Sequence, residues 1–175
     1  VERLIITATL GMQALGKYYL AFTFGQICDL ALSAGWRTLT QDFYKSIGND
    51  FKKALQILVG YCLFVFLICG VSMVALPFTY DLFVDKKFSE GRELIHWIVV
   101  GFSLYNLTSA ANHILIASRQ NKSLSYLSAL SLILSSIFLF ITYNEYGQAA
   151  LGLAFVFSNL IYFTLTLVLI IYTVS

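Results

Sequence analysis

Charged side chains are scarce in this chain of 175 residues, since Asp, Glu, Lys and Arg together make up 11% of it, against about 25% in soluble domains. Apolar residues make up 59%. Four segments contain no charged residue at all, namely 54–80, 94–118, 123–144 and 146–175. Each is longer than the roughly 20 residues that a helix needs to cross about 30 Å of hydrocarbon. This pattern excludes a water-soluble globule and predicts a polytopic membrane protein.

The strict alternation of apolar and polar residues that marks the strands of membrane β-barrels is also missing. In lipid, every backbone amide and carbonyl must find its hydrogen-bond partner within the membrane-spanning structure, so the uncharged runs are expected to be helices. The single proline, Pro77, is expected at a helix end or a kink. The predicted fold class is therefore all-α.

Sequence motifs for chemistry are absent. There is no Walker A loop, HExxH or GxSxG motif and no pair of carboxylates within a span, so we expect no enzyme, no ATP-driven pump, no cofactor and no metal site. Cys28, Cys62 and Cys69 match neither a zinc template nor a CxxC pair and are interpreted as small packing residues. No basic tract is present, so no nucleic-acid partner is expected.

The apolar runs and the turns between them predict one transmembrane bundle over residues 1–175, with five full spans and one partial span. The partial span covers 4–15, and the full spans cover 18–36, 54–76, 94–118, 123–143 and 149–172. Gly11, Gly16 and Lys17 predict a break between the first two. Because the chain starts at Val1, almost inside an apolar stretch, we interpret it as a fragment of a longer protein.

The connections predict the orientation of the bundle. The polar segment 37–53 is expected to be a loop, 81–93 an amphipathic turn at the membrane surface, and 119–122 a short hairpin. The first and last of these lie on one side and hold six basic residues, against four on the other side. The positive-inside rule then places them, and the C-terminus, in the cytoplasm.

Polar residues recur along one face of the predicted second span. They are spaced three or four residues apart: Thr23, Gln26, Asp29, Ser33, Arg37 and Thr40. Asp29 is the one carboxylate well inside a predicted span. It is either part of a cavity wall, contacting a polar substrate or taking up protons, or it packs by an interhelical hydrogen bond or by pairing with a basic group on a helix outside this chain. Both interpretations stay open at this point.

Further polar stripes occur on the later spans. Two stripes mix amides, hydroxyls and a histidine: Ser103, Asn106, Ser109 and His113, and then Asn159, Tyr162 and Thr166. His113 is either a proton relay or simply hydrogen-bonded in place. The cations Arg3 and Lys17 either hold a phosphate or anchor the chain at the headgroups.

Three places carry a likeness to a known family. The first is Glu2-Arg3, followed by an apolar stretch and a G-x-x-x-x-G-x-Y element made by Gly11, Gly16 and Tyr18. The second, residues 88–130, is a surface turn, a helix, a basic hairpin and another helix. The third, 144–163, is a glycine with small residues that opens a helix. With these three features in this order along the sequence, the chain resembles the polysaccharide and O-antigen repeat-unit flippases. Those proteins are relatives of the MATE exporters and the lipid II flippases.

The resemblance implies a MATE-like architecture of two six-helix lobes around a central cavity, with this chain as the C-terminal lobe and the N-terminal lobe missing. Such proteins move undecaprenyl-pyrophosphate-linked oligosaccharide repeat units across the bacterial inner membrane by alternating access. On this hypothesis Arg3 and Lys17 attract the pyrophosphate, and Tyr19, Gln26 and Asp29 meet the sugars or tune the local charge. The implied partners are the lipid bilayer, the lipid-linked oligosaccharide, the missing lobe and other polysaccharide-assembly membrane proteins.

Three other functions compete with the flippase. In a MATE-type cation or drug antiporter, Asp29 would be the coupling carboxylate. A membrane-embedded polysaccharide polymerase would need a long polar extracytoplasmic loop, whereas segment 81–93 is short. A membrane scaffold without transport activity is the third.

Overall fold

The computed structural model describes residues 2–47, 49–89, 91–147 and 149–174, and the side chains of most of these. All regular structure within them is helical. Five α-helices follow one another along the chain: α1 (Glu2–Ile47), α2 (Phe51–Phe83), α3 (Gly91–Ala117), α4 (Asn121–Tyr146) and α5 (Ala149–Val174). A single short 3-10 turn, Lys86–Phe88, lies between α2 and α3. The all-α prediction is confirmed for the described residues.

Helix α1 is continuous, so the predicted break at Gly11, Gly16 and Lys17 is wrong. A glycine inside a helix costs only about 1 kcal/mol relative to alanine, which a helix of 46 residues can absorb. A Cβ at Gly16 would lie 3.9 Å from the ring of Phe88. The glycine therefore lies close to the α2–α3 connection and does not interrupt the helix.

The predicted loop 37–53 is also wrong over most of its length, because α1 runs on to Ile47 and α2 begins at Phe51. Tertiary packing explains why most of this polar segment is helical. Phe43 is completely buried, with its ring centroid 5.5 Å from that of Trp36, and this apolar contact holds the polar segment in a helix. The actual turn is short, and Asp50 caps α2 by accepting a hydrogen bond from the Lys53 amide at 3.1 Å.

Pro77 lies inside α2, which continues to Phe83. Proline removes one backbone donor and crowds the preceding turn. Next to it, the hydroxyl of Thr79 donates to the carbonyls of Ala75 and Leu76, at 3.0 and 2.9 Å. The carbonyl that loses its helical donor is that of Met73, four residues before the proline, so these two bonds do not replace the missing one. The helix nevertheless passes through the proline instead of ending at it.

Helix α3 lies at the centre of the bundle, packed against α1, α2 and α5, while α4 packs mainly on α5. Small residues permit the closest approaches. A Cβ at Gly25 of α1 would collide with Ile98, and one at Gly101 of α3 would collide with Phe155 of α5. On α4 and α5 the rings of Phe138 and Phe157 stack with centroids 4.2 Å apart.

Four of the helices, α2 to α5, are long and apolar enough to cross a membrane. Large apolar side chains also cover the outside of the bundle, as on α2, where the exposed set includes Leu63, Phe66, Val74 and Phe78. Apolar surface of this extent is unfavourable in water and suits lipid. The structure is that of a multi-pass helical membrane bundle. The total of five full spans and one partial span stays a prediction, as does the MATE-like lobe.

Candidate functional site

The carboxylate within the bundle, Asp29 of α1, is hydrogen-bonded to the central helix. The side-chain amide of Asn106 donates to Asp29 Oδ1 at 2.7 Å and to the carbonyl of Phe102 in its own helix at 2.9 Å. Asn106 is buried, whereas Asp29 is partly exposed. The two residues lie on the polar stripes predicted from the sequence, and the helix packing brings those stripes together. Asp29 keeps part of its surface accessible although it accepts this hydrogen bond.

The rest of the α1 stripe is only partly exposed. Thr23, Gln26 and Arg37 are exposed, whereas Ser33 and Thr40 are partly buried. The hydroxyls of Thr23 and Ser33 donate to carbonyls of α1 itself, those of Tyr19 and Leu30, at 2.9 and 3.2 Å. These hydroxyls therefore do not tie α1 to a neighbouring helix, and the stripe forms a polar strip on the outer face of α1.

The predicted substrate-binding residues lie at several levels of α1. Tyr19 is half exposed and Gln26 is exposed, while Lys17 is only 6% exposed. The backbone of Lys17 lies against α3, since a Cβ at Gly91 would be 3.1 Å from the Lys17 carbonyl oxygen. At a rise of 1.5 Å per residue, about 18 Å of helix separates Lys17 from Asp29. The two residues therefore do not form a single site in this conformation.

Arg3 lies on the first turn of α1, but its side chain is outside the described residues. The helical rise places its backbone about 21 Å from that of Lys17 and about 39 Å from that of Asp29. The structure thus spreads the two predicted phosphate ligands along one helix. Whether Arg3 binds a substrate stays a prediction.

A second polar contact joins α3 to α5 farther along the central helix. The amide of Asn112 donates to the Tyr162 hydroxyl at 3.0 Å, and the hydroxyl of Thr166 donates to Asn112 Oδ1 at 3.4 Å. Tyr162 and Thr166 were identified by the sequence stripe on the last span. Asn112 was missed, because it directly precedes His113 and so lies about 100° around α3 from it, outside the stripe that contains His113. Its amide inside an uncharged run was the signal available.

His113 is hydrogen-bonded in place: its Nδ1 lies 2.7 Å from the hydroxyl of Tyr44 on α1. The ring of Trp36 packs beside it, with centroids 5.3 Å apart. The indole Nε1 of Trp36 is buried and has no hydrogen-bond partner among the described residues. This aromatic contact fixes the last turns of α1 against α3. Tyr44 could not be recognised from the sequence, because it falls in the segment expected to be a loop.

Neither a metal site nor a disulfide appears in this region. The described residues contain no group of three or more His, Cys, Asp or Glu side chains that could hold a metal ion. Cys28 is buried where α1 packs on its neighbours, and Cys62 and Cys69 are partly buried; all three are free thiols. The chemistry within the bundle is thus that of a carboxylate, amides and hydroxyls, a set suited to binding polar groups by hydrogen bonds.

Comparison with known proteins places the chain in no family: no family model, no curated protein and no solved structure matches it.

Proposed function

We propose that this bundle is part of a membrane transporter, and that its substrate is a lipid-linked oligosaccharide. The observation that carries the proposal is the Asp29–Asn106 pair: a partly exposed carboxylate held at 2.7 Å by a buried amide among membrane-crossing helices. Ionisable groups at such positions are costly in lipid and usually serve a substrate or ion path. The exposed strip of Thr23 and Gln26 beside it adds hydrogen-bonding groups of the kind that sugars require.

The substrate class comes from the resemblance of segments 1–27, 88–130 and 144–163 to the polysaccharide and O-antigen repeat-unit flippases. On this proposal the bundle is one MATE-like lobe of a two-lobe transporter in the bacterial inner membrane. The second lobe faces the polar strip of α1 and closes a central cavity. The sugars pass through that cavity while the lipid tail stays in the bilayer, and the lobes alternate in access by rocking.

The predicted residues take different parts in this mechanism. Tyr19 and Gln26, which are accessible on α1, contact the sugars, and Asp29 accepts hydrogen bonds from their hydroxyls. Arg3 attracts the pyrophosphate near the start of α1. Lys17 is buried in this conformation, so its contact with the pyrophosphate requires the packing between α1 and α3 to loosen.

The test is complementation in a strain that lacks its own repeat-unit flippase, using the gene as it stands in its genome. Asp29→Ala and Arg3→Glu are expected to abolish surface polysaccharide while membrane protein levels stay normal. Arg119→Glu, a charge reversal in the α3–α4 turn, is the matched control and should keep the polysaccharide. Surface polysaccharide that persists in the Asp29→Ala strain would refute the proposed site.

A MATE-type cation or drug antiporter is the second candidate, and the same carboxylate favours it. A coupling carboxylate must be reachable by an ion, and Asp29 is partly exposed although it is hydrogen-bonded to Asn106. Expression in a drug-sensitive strain separates the candidates. Drug resistance that disappears with Asp29→Asn, without any rescue of surface polysaccharide, would establish the antiporter instead.

A further inference from the structure

A polar groove lies where α2 ends and α3 begins, beside the Gly91–Lys17 contact and away from the Asp29–Asn106 pair. Its volume is about 580 Å³, and six residues line it: Asp81, Ser89, Arg92, Glu93, His96 and Trp97. Asp81 is in the last turn of α2, Ser89 in the connection, and the other four in the first two turns of α3. Because α2 and α3 are both long and apolar enough to cross a membrane, their ends are expected at the level of lipid headgroups.

The groove holds charges of both signs. Arg92 Nη1 lies 3.3 Å from Asp81 Oδ2, and both side chains are about half exposed. A guanidinium carries five N–H donors, so this single contact leaves donors of Arg92 free for another acceptor. Glu93 and His96 are also exposed. A ligand that matches this lining must carry an anionic group for Arg92 and a cationic donor for the carboxylates.

Exposed apolar side chains that belong to the lining or directly follow it in sequence favour a lipid ligand. Trp97 of the lining is 40% exposed, and Leu82 and Phe83, which follow Asp81 in α2, are more exposed still. Tryptophan is enriched where membrane proteins meet the headgroup region, because its ring is apolar and its N–H is polar. A headgroup in the groove would have its acyl chains beside these side chains, which a soluble metabolite would not use.

We propose that this groove binds the headgroup of phosphatidylethanolamine. The phosphate accepts hydrogen bonds from Arg92, and the primary ammonium donates to the carboxylates of Glu93 and Asp81. Phosphatidylglycerol offers only the anionic part and meets repulsion from the two carboxylates. Phosphatidylcholine has a quaternary ammonium without N–H donors. The groove therefore selects among membrane lipids by headgroup, and this selection is independent of what the protein transports.

The test uses Trp97 as the reporter, in a Trp36→Phe background that leaves it as the one tryptophan. The full chain is reconstituted in phosphatidylcholine vesicles that contain an equal mole fraction of brominated phosphatidylethanolamine, phosphatidylglycerol or phosphatidylcholine. The apparent affinity derived from quenching is expected to be roughly two- to fivefold higher for the ethanolamine lipid than for the other two. One exposed ion pair gives a ratio of this size. Equal quenching by all three, or stronger quenching by the glycerol lipid, would overturn the proposal.

Two variants and a competitor identify the recognised groups. Glu93→Gln should remove the preference for ethanolamine over choline, and Arg92→Gln should weaken quenching by both. Arg119→Gln, at the other end of α3, should behave like the parent. Soluble O-phosphoethanolamine should relieve the quenching, because the headgroup is the part that binds. An unchanged preference in both groove variants, or no relief by the competitor, would contradict headgroup recognition.

Discussion

The amide of Asn106 holds the carboxylate of Asp29 at 2.7 Å and so connects the central helix to α1. Interhelical hydrogen bonds between polar side chains in membrane proteins contribute roughly 0.6–2 kcal/mol. This contact is also the one place in the described bundle where a carboxylate of α1 is hydrogen-bonded to α3. Its loss is therefore expected to affect both stability and the position of α1.

Replacing Asn106 with leucine should lower the free energy of unfolding in detergent by about 1–2 kcal/mol, because Asp29 loses its donor in a partly buried position. Asn159→Leu is the matched control, since the amide of Asn159 bonds to Phe155 within its own helix. Asn159→Leu should lower the free energy of unfolding by less than Asn106→Leu does. A double-mutant cycle with Asp29→Ala measures the coupling, and a coupling energy near zero would show that the contact is not energetically significant.

The two polar stripes that meet at this contact were visible in the sequence, but their pairing was not. Helical spacing identifies which residues share a face of one helix. It does not give the register between helices, which depends on how side chains such as Ile98 fit against Gly25. The sequence therefore predicted Asp29 and Asn106 as candidates without showing that they touch.

The same distinction explains which helices were predicted well. Helices α3 to α5 closely match uncharged runs, because the absence of charge is a direct consequence of the lipid environment. The last turns of α1 were missed because the polar residues in 37–53 suggested a loop. These turns are helical because Trp36 and Phe43 are buried against the bundle. Helix α2 was predicted to end near Pro77 because proline usually ends or kinks a helix, whereas α2 continues to Phe83.

The α2–α3 connection depends on a glycine at a close contact. A Cβ at Gly91 would collide with the Tyr80 hydroxyl and lie 3.1 Å from the Lys17 carbonyl oxygen. The Tyr80 hydroxyl also donates to the Phe88 carbonyl at 2.8 Å, so it cannot move without breaking that bond. Gly91→Ala should therefore destabilise the protein by about 1–3 kcal/mol, as overpacking typically does.

Gly60→Ala is the control for this substitution, because a Cβ there would meet nothing within 4 Å. It should be neutral or slightly stabilising, since alanine is the better helix former. Thermal unfolding of both variants in the same detergent is the measurement. Equal midpoints for the two would mean that the connection adapts to the added methyl group without cost.

The hydrogen bond between Tyr44 and His113, 2.7 Å long, ties the end of α1 to α3. Tyr44→Phe keeps the ring and removes the bond, which is expected to contribute about 0.5–1.5 kcal/mol. Amide hydrogen exchange over residues 37–47 should then become roughly two- to tenfold faster. Tyr126→Phe, at a side chain that is 76% exposed, should leave exchange unchanged. No change in either variant would show that ring packing alone holds this segment.

The arrangement of helices across the membrane can be tested with single cysteines in a chain whose three native cysteines are replaced by alanine. Because α2 and α3 are each long and apolar enough to cross the membrane, the turns that flank them should alternate between its two sides. Asn49→Cys and Gln120→Cys should react with an impermeant maleimide only when the cytoplasmic side is accessible, as the positive-inside rule predicts. Lys86→Cys should react in intact cells. If positions 49 and 86 react from the same side, α2 does not cross the membrane. If all three positions react from the side opposite to the expected one, the spans are correct but the bundle has the opposite orientation.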